Sequence, residues 1–389
     1  MNVRPLELLE SRWAGLRRDD PQQVSALVTG LLAAAREVGA SDVHLIPRPS
    51  GLQVQWRRHG VMEPAALLPA TIAANVAARL KVLAELLTYR TDLPQEGRIR
   101  SDAADAEQVE MRVSTFPTLH GEKVVVRLFV GSGQYRRLGE LGLPEEMAGL
   151  LRELLLERGG LLLITGPAGS GKTTTAYAAL RELADRDVGR SLVSLEDPVE
   201  ALVEGVAQSQ VHPATGFTYE TGLRSLLRQD PDVLFVGEIR DPPTAELVFQ
   251  ASLTGHLVLS TFHAQDARTT LRRLEDMGIE PYQVRSGLLA ILAQRLLRRL
   301  CACARRSRAE EDRLGLPVEE VSLPVGCERC YGSGYVGRRM LAELLLGESL
   351  RETGGAVEAV TLRDQACAAV QAGWTSPAEV RRVFGFRSV

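Results

Sequence analysis

The chain has 389 residues and a mass of 42.4 kDa, more than one ordinary hydrophobic core holds and about right for two domains. An apolar fraction of 45% with 24% charged residues and 35 Gly excludes a mainly disordered, collagenous or disulfide-framework protein, and a net charge of -3 provides no global attraction to nucleic acid. No run approaches the roughly 18 apolar residues of a membrane span, and Arg4, Glu7 and Glu10 interrupt any signal-peptide core, so the expected compartment is the cytoplasm. Of the 46 Lys and Arg only three are Lys (Lys81, Lys123 and Lys172), so each Lys invites a specific explanation.

Apolar residues at helical spacing predict a helix over 24–38, stopping at Gly39. Asp42 to Ile46 and Leu52 to Trp56 alternate as strands do, 70–88 has helical spacing again, and Val109 to Val113 and Lys123 to Val130 predict two strands joined by a loop at Pro117 to Gly121. From Leu161 onward the pattern changes to short apolar runs alternating with helical stretches. The runs Leu161 to Ile164, Leu192 to Leu195, Val233 to Val236 and Leu257 to Leu259 predict a parallel sheet with crossover helices. These elements divide the chain into an extension over 1–20, an α+β domain over 21–132, a linker over 133–150 and an α/β domain over 151–389. The last carries a Cys-rich insert at 301–338 and is expected to end in a helical segment over 340–389.

Gly166-Pro167-Ala168-Gly169-Ser170-Gly171-Lys172-Thr173-Thr174 fits the phosphate-loop pattern G-x-x-x-x-G-K-[ST], directly after a predicted strand and at the start of a helix. Glycines let backbone N–H groups converge on phosphates, Lys172 reaches the β and γ phosphates as a point charge, and the Thr173 hydroxyl ligates Mg²⁺. ATP and Mg²⁺ are the expected cofactors. Glu196 closes the next strand, at the sheet edge where ligands of open α/β folds bind. Two readings stand for it: a general base that polarises the attacking water, or a solvated turn acid. The run Asp230 to Asp241 holds an apolar strand ending in Gly237-Glu238 and resembles a Walker B element, with Glu238 where an acid would hold Mg²⁺ through water. His256 and His263 flank the fourth strand; His263 is either a γ-phosphate sensor or a hydrogen-bonded structural histidine. Cys301, Cys303, Cys327 and Cys330 form two close pairs, which reads as a structural Zn²⁺ site or as incidental thiols, while Cys367 lies on a helical pattern.

Taken together, Ala40 to His44, Leu93 to Arg98, Arg112 to Thr115, Gly121 to Arg127, the phosphate loop, Ser194 to Glu200, Leu227 to Asp241 and Thr254 to His263 resemble the ATPases of type II secretion and type IV pilus assembly. The resemblance implies a homo-hexamer in which a PAS-like N-terminal domain packs against a RecA-like P-loop ATPase domain with ATP at their junction, powering inner-membrane platform proteins from the cytoplasmic side. By motif position it implies Glu196 as general base, Glu238 as the Walker B acid and His256 with His263 as a His box. Arg98 and Arg112, with Arg127 as a third candidate, fall where the family has arginine fingers. The cysteine insert favours the secretion and assembly class over pilus retraction. Three departures accompany the match: Cys301 and Cys303 are one residue closer than the usual C-x-x-C, Glu96 stands where Asp is usual, and only about 20 residues precede the first helix, where relatives usually carry a further platform-docking domain. Two rival functions share the nucleotide motifs: a RecA-like nucleic-acid motor, which lacks the expected basic balance here, and a nucleotide-gated scaffold with little turnover.

Overall fold

A computed structural model describes residues 21–99, 111–128, 137–186, 189–348 and 360–386; the expected extension over 1–20 lies outside these residues, as do parts of the strand ends expected at 109–110 and 129–130. The chain divides into two units: Met1–Gly131 with Cys301–Ala304 and Pro324–Gly337, and Ser132–Leu300 with Arg305–Leu323 and Arg338–Val389. The Cys-rich stretch, expected as an insert of the ATPase domain, is therefore shared out, its four cysteines grouping with the first unit.

In the first unit, helix α1 (Pro21–Glu37) buries Leu27, Val28, Leu31 and Ala35 along one face and ends where Gly39 takes a φ of +70°. Six antiparallel strands follow: β1 (Ala40–Arg48), β2 (Gly51–Arg58), β3 (Val61–Leu68), β4 (Gln95–Ile99), β5 (Met111–Thr118) and β6 (Gly121–Leu128), in the order β3-β2-β1-β6-β5-β4. Alternation places Val43, Leu45, Val54, Trp56, Val113, Val124 and Val126 on one face, under α1 and α2 (Ala73–Leu83). The helix expected over 70–88 is thus shorter: it closes before Glu85, whose φ is +58°. Lys81 on α2 is fully buried, forms an ion pair with Glu122 of β6 and donates to the Arg90 carbonyl at 2.8 Å. A compact ammonium on a straight stem suits a niche with one carboxylate and one carbonyl, where a broad guanidinium would leave donors unmet.

The second unit is built on a seven-stranded sheet in the order β15-β12-β7-β11-β10-β8-β9. Strands β7 (Gly160–Thr165), β8 (Leu192–Glu196), β9 (Val206–Gln210), β10 (Val233–Val236), β11 (Leu257–Phe262) and β12 (Leu288–Leu300) pair in parallel. Four of them, β7, β8, β10 and β11, are buried along their whole length because helices cover both faces. Leu161 and Leu163 of β7 enter one core and Leu162 and Ile164 the other. Helices α3 (Glu145–Leu154) and α4 (Lys172–Asp185) contribute to the latter core. Among α5 (Tyr219–Leu226), α6 (Pro242–Leu253), α7 (Ala267–Asp276) and α8 (Pro281–Gly287), α6 supplies Ala245, Val248 and Phe249 to the former.

Two expectations change. Within 133–150, the described residues 137–150 carry the buried Leu138 and Leu141 and the start of α3, and the Leu138 N–H donates to Glu182 of α4 at 2.9 Å, so this stretch belongs to the second core. The expected helical tail opens instead with the strand β15 (Tyr335–Leu346), which hydrogen-bonds beside β12; helices follow only at α9 (Leu362–Gln371) and α10 (Pro377–Phe384). The run Met340 to Leu346 is rich in helix formers, and pairing to β12 overrides that propensity. Between β12 and β15 lie the short strands β13 (Arg305–Ser307) and β14 (Val321–Leu323), paired with each other.

The buried ion pair makes a direct prediction for stability. Lys81→Ala, which strands the Glu122 carboxylate, is expected to cost about 3–5 kcal/mol in urea unfolding, whereas Lys81→Met with Glu122→Leu recovers most of that loss.

Candidate functional site

Strand β7 feeds Gly166 to Gly171, and α4 begins at Lys172. Gly166 and Gly171 have φ of +157° and +91°, and a Cβ on Gly166 would lie 2.4 Å from Ser170 Oγ, so the loop closes only with glycine there. Pro167, Ala168, Gly169 and Thr173 are exposed and Thr174 is half-buried, while Ser170 is buried and its Oγ has no hydrogen-bond partner among the described residues. A glycine cradle and an orphaned hydroxyl are what a phosphate chain would fill and satisfy, so the residues fit an ATP–Mg²⁺ group.

Lys172 is only 8% exposed, and its ammonium donates to the carbonyls of Gly166 at 2.9 Å and Pro167 at 3.1 Å. Burial pulls its pKa down to about 8, with Glu238 opposing and Arg295 adding to the fall. His263, just beyond β11, has Nδ1 3.4 Å from Lys172 Nζ and Nε2 3.0 Å from Glu238 Oε1. Burial and then the Lys172 charge hold its pKa below the ordinary value, against the pull of Glu238. The neutral ring fits both partners in one tautomer: Nε2–H donates to Glu238 while Nδ1 accepts from Lys172. The other Glu238 oxygen accepts from Arg240 Nε at 3.1 Å, and Arg240 Nη1 donates to Asp197 at 2.9 Å. Lys172, His263 and Glu238 thus come together from three separate sheet strands' carboxyl ends, and the sequence offered no sign of the Arg240–Asp197 brace beside them.

Burial overturns the solvated-turn-acid reading of Glu196. It is 3% exposed, and its carboxylate accepts from Tyr177 of α4, from Ser194 Oγ at 2.6 Å and from Gln208 Nε2 at 3.2 Å. Tyr177 in turn accepts from the Glu200 N–H at 2.9 Å, and burial, followed by Glu196, pushes its pKa up. Glu196 therefore ties the loop after β8 to the helix that follows the phosphate loop, and its two oxygens are taken. His256 also separates from His263: it precedes β11, whose register with β7 runs from Leu257 opposite Gly160 to Phe262 opposite Thr165. It lies at the amino edge of the sheet, bound to the Ala251 carbonyl at 3.0 Å, while the phosphate loop leaves the carboxyl edge.

In the first unit, one cross-strand row runs Arg98, Arg112, Arg127, Asp42, Arg57 over β4, β5, β6, β1 and β2. Asp42, almost fully buried, takes Arg127 Nε at 3.0 Å and Arg57 Nε at 3.6 Å. Arg127, the third finger candidate, is thus committed to Asp42; Arg98 is exposed and Arg112 half-buried at the β4 end of the row. The row sits in the first unit and the phosphate loop in the second.

The four thiols of Cys301, Cys303, Cys327 and Cys330 all lie within 4.8 Å of one another, with Sγ–Sγ distances of 3.7 Å (Cys301–Cys327), 3.9 Å (Cys303–Cys330) and 3.7 Å (Cys327–Cys330). Tetrahedral bonds of about 2.3 Å to zinc separate sulfurs by about 3.8 Å, so the C-x-C spacing leaves the geometry of a Cys₄ site intact. Backbone N–H groups of Cys327 and Gly334 point at Cys330 Sγ, at 3.0 and 3.2 Å, which favours a thiolate. The segment rests on the β2–β3 hairpin: Arg58 lies 4.9 Å over the Tyr331 ring, and the Gly337 N–H donates to His59 Nε2 at 3.3 Å. Cys367 packs against the second unit's core, as its helical position led one to expect.

The family model described as Type II/IV secretion system protein matches residues 17–382. Type II secretion system protein E of Aeromonas hydrophila is 41% identical over 345 residues, covering 87% of this chain and 68% of that protein. The type IV pilus assembly ATPase TfpB of Acinetobacter baylyi is 39% identical over 334 residues, 83% of this chain and 57% of its own length. Among solved structures, the Legionella pneumophila ATPase DotB superposes with a TM-score of 0.69 at 18% identity, covering 92% of this chain and 95% of that one, a likeness of fold.

The depressed Lys172 pKa sets a pH dependence. Phosphate beside the ammonium restores its charge, so nucleotide binding takes up a proton in the window above about pH 8, and affinity falls as pH rises through it. Calorimetry in two buffers of different ionisation enthalpy is expected to find uptake close to one proton at about pH 9 and little at about pH 7.5. In the nucleotide-free chain the same group contributes stability that rises with pH from about 8 to 10.5, because the unfolded ammonium holds its proton longer.

Proposed function

Since this chain belongs to the type II/IV secretion system protein family and is an ATPase of RecA-like fold, we propose that it hydrolyses ATP with Mg²⁺ as a homo-hexamer, on the cytoplasmic side of the inner membrane, to drive the platform proteins of a type II secretion or type IV pilus assembly machine. No helix among the described residues is long and apolar enough to cross a membrane. The observation that carries the reading is the convergence of Lys172, His263 and Glu238 on the phosphate loop.

In this reading the loop's N–H groups over 169–173 bind the phosphates, Lys172 bridges the transferred group, and Thr173 holds Mg²⁺ directly. Bound there, the metal would neutralise phosphate charge. Glu238 faces the reacting end, where it would hold Mg²⁺ through water. His263, bonded to both Lys172 and Glu238, registers whether the terminal phosphate has taken Lys172 away from it. Glu196 serves as a positioning residue through Tyr177. Arg98 and Arg112 act as arginine fingers; their place at the exposed end of the Arg row supports this. Four thiols at tetrahedral spacing support one structural Zn²⁺ per chain.

Glu238→Gln is expected to bind ATP yet lose roughly 10²- to 10⁴-fold in steady-state phosphate release. Glu196→Gln, which breaks acceptor bonds in a buried site, instead lowers stability by about 1–3 kcal/mol with the smaller effect on turnover. Phosphate release and melting temperature, measured on both variants, separate the two roles, and equal turnover losses would refute them.

For the thiols, elemental analysis of untagged protein is expected to find one zinc per chain, and Cys330→Ser to lose it while opening residues 324–337 to proteolysis.

A further inference from the structure

We propose that Gln294 is the positioning residue that holds the phosphate loop in its nucleotide-binding shape, an inference that rests on reading residues 166–173 as the phosphate cradle. Gln294 sits on β12, the strand paired with β7, where Ala293 is opposite Thr165. Its side chain is fully buried. Its amide Nε2 donates to the Ser170 carbonyl at 2.8 Å, across 124 positions of sequence, and its Oε1 accepts from the Thr175 hydroxyl at 3.0 Å. One side chain thereby ties the last turn of the loop and the first turn of α4 to the neighbouring strand.

The loop is shaped around this residue at both ends. A Cβ on Gly166 would come within 2.6 Å of the Gln294 carbonyl oxygen, and one on Gly171 within 3.1 Å of Gln294 Nε2. The peptide geometry gives the contact its consequence. In a trans peptide the C=O and the following N–H point in opposite directions, so drawing the Ser170 carbonyl onto β12 turns the Gly171 N–H away from that strand. Nests of N–H groups bind phosphate only when their peptides are turned the same way. An amide suits the position: the Ser170 carbonyl needs a donor, the Thr175 hydroxyl finds a nearer acceptor in Gln294 Oε1 than in the Gly171 carbonyl at 3.3 Å, and a glutamate would set its oxygen against the Ser170 carbonyl.

Gln294 is itself held rigidly. Arg295, 5% exposed, donates to the Gln294 carbonyl at 3.2 Å and to the Gln265 carbonyl at 2.5 Å. Arg298, further along the strand, is fixed by its N–H and its guanidinium to the fully buried Glu379 of α10, at 3.0 and 2.8 Å. A clamp on a rigid strand can impose its geometry on a glycine-rich loop, which has little stiffness of its own.

The test compares the full chain with Gln294→Met, which keeps side-chain length and loses both hydrogen bonds, and with Thr175→Val, which removes one. Expected for Gln294→Met are roughly tenfold or greater rises in the KM for ATP and the Kd for ADP, a smaller change in kcat, and faster amide exchange over 166–171. Thr175→Val is expected to move the same quantities less, and the double variant to fall short of the sum. Unchanged KM, Kd and loop exchange in Gln294→Met, or a loss confined to melting temperature, would overturn the proposal; should that variant not fold, the same outcomes in Thr175→Val decide it. Lys172→Ala distinguishes the underlying reading: if it binds ADP like the wild type, residues 166–173 are not the cradle, and the exchange measurement alone then decides whether Gln294 holds the loop.

Discussion

A buried ammonium must be surrounded by oxygen or lose its charge, and much of the second unit is arranged around that requirement at Lys172. The carbonyls of Gly166 and Pro167 meet it directly, and the Glu238 charge meets it at longer range with His263 between them. Glu238 in turn is kept from recoiling by Arg240, which Asp197 anchors. The chain of partners crosses the ends of β7, β8, β10 and β11, so the site is a property of the parallel sheet's carboxyl edge and of no single loop. The Lys172 pKa nevertheless stays depressed, so these partners leave part of the burial uncompensated, which a phosphate would supply.

The first unit handles charge in a different way. Its buried Lys81–Glu122 pair is closed off from solvent and organises the segment that leads to β4, through the Arg90 carbonyl. On the opposite face of the same sheet the pleat brings four arginines into one row with a single acid. Asp42 neutralises the middle of that row, which concentrates the positive charge at the β4 end, where Arg98 and Arg112 stand directly opposite each other. Like charges placed side by side on paired strands cost stability unless something anionic faces them.

The cysteine segment brings four thiols together from two stretches distant in sequence. It leaves β12 and returns as β15, neighbours in the second unit's sheet, yet its thiols group with the first unit, where Tyr331 and Gly337 engage the β2–β3 hairpin. Its stretch 305–323 packs Leu316, Val318 and Val321 into the second unit's core, whereas 324–334 offers only Val325 and Tyr331 as large side chains of that kind, so a metal held by the four thiols would order those turns.

The sequence by itself determined the phosphate loop, the acid at the end of β10, the four thiols, the buried strands of the second sheet and the alternating strands β1 and β2 of the first. Each of these needs particular residue types at fixed local spacing, or a run of apolar residues that only a two-sided burial explains. Tertiary structure decided what spacing cannot encode. Glu196 and Glu238 both end strands, and only the neighbours brought by folding turn one inward onto Tyr177 and leave the other beside Lys172. His256 and His263 are divided by the length of one strand that puts them at opposite sheet edges. The run Met340 to Leu346 has helix-forming composition and becomes a strand because β12 offers it an unpaired edge, and Gln294 carries no motif at all, since its role arises where two strands distant in sequence lie side by side.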